Sequence, residues 1–133
     1  MKPMLRLLTA LAALLVVSTA LAQTGTATLS WVAPTQRTDN TLLLPGEVTN
    51  FVISWGQCGG TAPNYTMPST VTSVTIAGNL TTYTVTGLTT GWTMPHCFAM
   101  VSVSASGAGP ASTPPVWKMI EAPPKSASGL AIK

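Results

Sequence analysis

Few side chains in this sequence can do chemistry, and two of them stand side by side in one dipeptide. His96 is the only histidine, and Cys97, one of two cysteines, follows it directly; the other cysteine is Cys58, and the carboxylates are Asp39, Glu47 and Glu121. A cysteine beside a histidine becomes a nucleophile when the imidazole can take the thiol proton, which requires the two side chains to converge. Paired carboxylates do acid–base work only when they flank one reacting bond. A metal site needs more ligands than one histidine can anchor, and neither HExxH nor CxxC spacing is present. The chain has no P-loop, GxSxG or GxGxxG, and Gly107-Ala108-Gly109 is a loop fragment. Whether His96 and Cys97 form a dyad therefore depends on the element that carries them.

That element reads as a strand. Apolar and polar residues alternate with period two in short runs between turn signals, and no run after the N-terminal segment has helical periodicity. "ATLSW" sets Ala27, Leu29 and Trp31 on one face; "NFVISWG" does the same with Phe51, Ile53 and Trp55. "TVTSVTI" is a weaker, threonine-rich run, and "TTYTVTGL" places Tyr83 and Val85 together before an expected turn at Gly87. "HCFAMVSVSA" is apolar on both faces, as in a central strand, and "PPVWKMIEA" reads as a last strand. Threonine and valine in this density disfavour helix because their branched side chains lose rotamer freedom there. The intervening stretches "APTQRTDNTLLLPGE", "GQCGGTAPN", "TTGWTMP" and "ASGAGPASTPP" read as loops, because their Pro and Gly set or free φ where the chain turns. Neighbouring side chains on a strand point to opposite faces, so His96 and Cys97 cannot meet at one substrate.

Outside the strands, Lys2 and Arg6 precede a run from Leu7 to Ala22 without a charge that closes on Ala20-Leu21-Ala22. This order of basic, apolar and small residues is that of a secretory signal peptide over residues 1–22. A membrane span would need roughly 20 apolar residues and no cleavage site. The expected mature chain is a domain over residues 23–122 and a flexible tail over 123–133, periplasmic or extracellular, with no stable membrane insertion. Its charges are Arg37, Lys118, Lys125 and Lys133 against Asp39, Glu47 and Glu121, which leaves no basic patch for nucleic acid. So neutral a surface favours association. Two cysteines in an exported chain most simply pair, with two free thiols as the alternative. A bridge would close a loop of about 40 residues, worth roughly 4 kcal/mol. Asn64-Tyr65-Thr66 and Asn79-Leu80-Thr81 match the glycosylation sequon and read as turn residues.

The order of these landmarks resembles a fibronectin type III domain of the kind found singly in bacterial and phage proteins. The resemblance is carried by "ATLSWVAPTQRTDN" with Trp31 and Pro34, by "VTNFVISWG" with Phe51 where the family usually has tyrosine, and by "TYTVTGLTTG" with Leu88 as the buried leucine. The F-strand pattern matches as His96-x-Phe98-x-Met100-x-Ser102, and the whole covers residues 25 to 121. It implies an all-β fold, an immunoglobulin-like β-sandwich of about six to seven antiparallel strands. Its implied core is Trp31, Phe51, Ile53, Trp55, Tyr83, Leu88, His96, Phe98 and Met100. Strands C and F are neighbours in this family, which implies that Cys58 and Cys97 lie on the same outward face at the same height. His96 occupies the place of the family's corner tyrosine, so the E–F corner is expected to be rebuilt, with Trp92 packing there, and His96 to be a structural, hydrogen-bonded residue. Strand A is expected to be short or missing.

The fold class carries function only by analogy. The expectation is a non-catalytic binding or adhesion module without catalytic, metal or cofactor-binding residues, meeting a protein or glycan partner through its loops or a sheet face. The outward face of strands C and F would carry Val52, Ala99, Val101 and Val103, an apolar strip that is either an interface or covered by a loop, the tail or Trp117. The missing strand A would leave an open edge, either shielded by the chain's own ends or available for self-association in a cell-surface or virion assembly.

Overall fold

The computed structural model describes residues 24–91, 93–122 and 131–132. The expected leader 1–22, Trp92 and most of the expected tail 123–133 lie outside the described residues. In chain order the strands are β1 (Thr24–Ser30), β2 (Val48–Gln57), β3 (Gly59–Thr61), β4 (Asn64–Thr66), β5 (Thr72–Ala77), β6 (Thr82–Thr89), β7 (His96–Ser104), β8 (Gly107–Ala108) and β9 (Val116–Lys118). All six runs read from the sequence are strands. The three additional ones, β3, β4 and β8, lie in stretches read as loops or turns, because two or three residues are too few to show an alternation.

One layer is the antiparallel pair β1–β6; the other runs β5–β2–β7, with β8 and β9 each pairing one end of β7. Among the described residues no strand precedes β1. The layers bury two linked clusters between them. Ala27, Val85 and Leu88 of the narrow layer pack with Phe98 and Ile120. Phe51, Ile53 and Ile76 of the wide layer form the second cluster, and Leu29, Trp55 and Tyr83 pack against both. Phe51 and Ile53 are fully buried, each worth about 1.5–3 kcal/mol relative to exposure.

Four residues expected in the core, Trp31, Trp55, Tyr83 and Met100, are only half-buried. The reason is width: strands lie about 4.8 Å apart, so two strands cannot roof a sheet twice as broad. The sequence also suggests a turn at Gly87, but β6 continues through it to Thr89. The register with β1 slips between Gly25 and Ala27, and Gly87 takes φ 71°, so one residue of β6 bulges out. That bulge is why Val85 and Leu88, three positions apart, both face inward.

Candidate functional site

On β7, His96, Phe98 and Met100 take the inner register positions and Cys97, Ala99, Val101 and Val103 the outer ones. His96 is buried and burial holds its pKa below the ordinary value; Cys97 is turned away from it and bonded to Cys58, with Cα atoms 5.0 Å apart. The dipeptide is therefore not a dyad. At the corner, the Cys58 amide donates to the Pro95 carbonyl (2.9 Å), which ties the end of β2 to the residue before His96.

The outer face of β2 and β7 falls into two parts. At the disulfide end it is roofed. Trp117 pairs with Cys97 in register, and Tyr65 of the β3–β4 hairpin meets its ring edge-on at 5.1 Å. Pro68 and Thr70 pass so close over Gly56, the register partner of Cys97, that a Cβ there would lie 2.7 Å from the proline ring. Under this cover Cys97 and Cys58 are buried, and Ala99 is only 9% exposed. Ala99 is thus removed from the candidate interface by its burial, next to the end of the sheet where Tyr65, Trp117, Pro68 and Thr70 gather. Val52, Val101 and Val103 remain half-exposed, with Val52 opposite Val101 and Val103 opposite Asn50.

Beyond Val103 the strip runs into a groove of about 390 Å³. One wall is the loop between β1 and β2, with Pro34, Arg37 and Leu43; the other is the turn after β7, with Ser106 and Gly107, and Val103 and Val48 lie between them. The long loop is clamped from inside. Arg37 donates through Nη1 to the Leu42 carbonyl (2.7 Å) and the Thr41 hydroxyl (3.3 Å), and through Nη2 to Glu47. Glu47 also accepts from the Leu44 amide. Asp39 accepts from the Thr41 hydroxyl (2.6 Å) and amide (3.0 Å), and the hydroxyl chiefly holds its carboxyl below the ordinary range. Each carboxylate thus braces the loop separately. The bracing holds Leu42 and Leu44 outward, each 69% exposed.

Among the described residues no three His, Cys, Asp or Glu side chains stand together as metal ligands. No helix among them is long and apolar enough to cross a membrane. The sequence reading missed the Arg37 clamp and the Tyr65–Trp117 pair. Arg37 and Glu47, opposite charges in a loop with few others, were a legible signal for the first; the second joins residues far apart in sequence.

Two facing antiparallel layers of this strand order define an immunoglobulin-like β-sandwich. No family model and no curated protein matches the sequence. Among solved structures, the chain is similar to the fn3 domain of the human collagen alpha-1(XX) chain, with a TM-score of 0.53 and 16% identity, over 83% of each chain. At that identity the likeness concerns the fold alone.

Proposed function

We propose that this chain is an exported, non-catalytic binding module of bacterial or phage type that meets a protein or glycan partner through the groove beside Val103 and the adjoining strip of Val52 and Val101. The observation that carries the reading is the groove itself: a concavity walled by a braced loop and floored by Val48, Ser102, Val103 and Ser104, two valines among two hydroxyls. The bracing matters because a loop ordered before binding loses less entropy on contact. Export is supported by the leader pattern at residues 1–22 and by a disulfide, which persists in oxidising compartments. Nucleic acid is a poor partner because the charged side chains of the strands and loops nearly balance.

The test is binding of the exported protein to arrayed glycans and to cell-envelope fractions, compared with Val101→Lys. The variant should keep its melting temperature and lose at least tenfold in affinity; unchanged affinity would remove the strip from the interface. A second reading, a structural subunit assembling through an open strand edge, is favoured by the flank of β1 that no strand among the described residues meets.

A further inference from the structure

The narrow layer leaves β1 as an edge strand, and its register determines which of its groups are unpaired. The Trp31 amide donates to the Thr81 carbonyl (3.0 Å), and Leu29 and Ala27 follow opposite Tyr83 and Val85. In an antiparallel ladder alternate residues turn their amides to alternate sides, so Thr26, Thr28 and Ser30 direct theirs away from β6. Among the described residues no strand meets them. Near its start this edge is hemmed by Met119, Ile120 and Glu121, which line a small groove with Gly25 and Thr26. No described residue pairs with the rest of the edge, and Val32 just beyond it is an apolar side chain 91% exposed.

Natural edges are blunted by charge, proline or a bulge. From Thr24 to Ala33 this edge has neither charge nor proline, and the extra residue of the β1–β6 bulge lies on β6. The far edge of the same layer, on β6, has its bulge at Gly87.

We infer that a second copy of this chain occupies the edge, β1 pairing antiparallel with β1 about a twofold axis at Leu29, so that two narrow layers become one four-stranded layer, β6–β1–β1–β6. This rests on the assembly reading above and specifies its surface. The strand is complementary to itself in this register. Thr28 falls opposite Ser30 of the second copy with both pointing their free amides and carbonyls at each other, and each such pair exchanges two backbone hydrogen bonds. Their hydroxyls lie on the outer face, where the fold already joins hydroxyl to hydroxyl across strands: Thr28 with Thr84 at 3.0 Å and Ser54 with Ser73 at 2.8 Å. On the inner face, Leu29 meets Leu29 and the small Ala27 meets the large, half-buried Trp31; on the outer face Thr26 lies against Val32. No like charges meet. Pairing also widens the layer that is too narrow for the sheet it faces.

The test is sedimentation equilibrium of the protein recovered from an export-competent host, from about 1 to 300 µM, across the range where one short strand contact is populated. The wild type should approach twice the monomer mass. Ser30→Pro removes an outward amide and leaves the β1–β6 ladder whole, a position where an edge strand tolerates proline. It should raise the dimer dissociation constant at least tenfold. Thr75→Pro makes the same change on β5, where Ile76 and Val74 bond β2, and should leave the dimer intact. In the wild type, hydrogen exchange at the Thr28 and Ser30 amides should slow at least tenfold between the ends of the concentration range, a readout that needs no variant to fold. A monomer throughout, a dimer lost with Thr75→Pro but not Ser30→Pro, or a monomer that pairs only after deletion of residues 123–133 would overturn the inference. The last would assign the edge to the chain's own tail. Any of these with groove binding intact would leave the binding reading in place.

Discussion

Replacing Cys58 and Cys97 together by alanine removes the covalent tie between the end of β2 and the start of β7, and its cost follows from the chain separation. The bridge joins residues 39 apart. In the chain-entropy relation, a loop of that length restricts the unfolded chain by roughly 13 cal/mol/K, or about 4 kcal/mol at 25 °C. Both cysteines are buried, so the vacated sulfur volume adds a cavity cost, of order 1 kcal/mol for a group of about this size. A domain of this length has roughly 5–15 kcal/mol in total. The double variant should therefore retain the sandwich in water but unfold far earlier. With a urea slope of about 1–3 kcal/mol/M, a loss of about 5 kcal/mol should lower the midpoint by roughly 1.7–5 M. Equilibrium urea unfolding followed by tryptophan fluorescence reads this directly, with intact mass before and after alkylation confirming the wild-type bridge. A midpoint within about 0.3 M of wild type would refute the reasoning, because less than about 1 kcal/mol would then reside in the tie.

Two further outcomes are expected. Gly56→Ala should cost about 1–3 kcal/mol by forcing Pro68 and the Thr70 carbonyl aside, whereas Gly109→Ala, whose nearest contact would be an ordinary 3.6 Å, should be close to neutral; equal urea midpoints for the two would contradict the close approach. His96 is held neutral by burial, its folded pKa below the unfolded value of about 6.5. The stability conferred by the neutral form is full above the unfolded pKa and is lost as pH falls through the folded one, since the unfolded chain takes up the proton first. Urea midpoints should therefore decline from pH 7 to pH 5, a window in which ordinary carboxylates stay ionised, and the decline should flatten in His96→Gln; parallel slopes would assign it elsewhere.

What the sequence made legible was whatever repeats with period two. Phe51, Ile53, Phe98 and Leu88 sit inside, as the alternation and the family pattern had them, because a buried strand face leaves a regular trace. The half-burial of Trp55 and Met100 was not legible, since it depends on how many strands the opposite layer has. Nor was the burial of Ala99, which lies next to the end of the sheet where Tyr65 and Trp117 meet, because that meeting requires the fold. The groove likewise has no sequence signature, because its walls come from loops about 60 residues apart. Its bracing was partly readable in Arg37 and Glu47, the loop's opposite charges.

In the proposed function, the braced loop and the turn after β7 form the binding surface. Amide chemical-shift mapping of the labelled protein against a partner found on the glycan or envelope panel tests it most directly. The account predicts saturable shifts concentrated at residues 34–48 and 101–110, abolished in Val103→Lys at unchanged melting temperature. Shifts centred on the β3–β4 hairpin, or saturable binding indifferent to Val103→Lys, would contradict it.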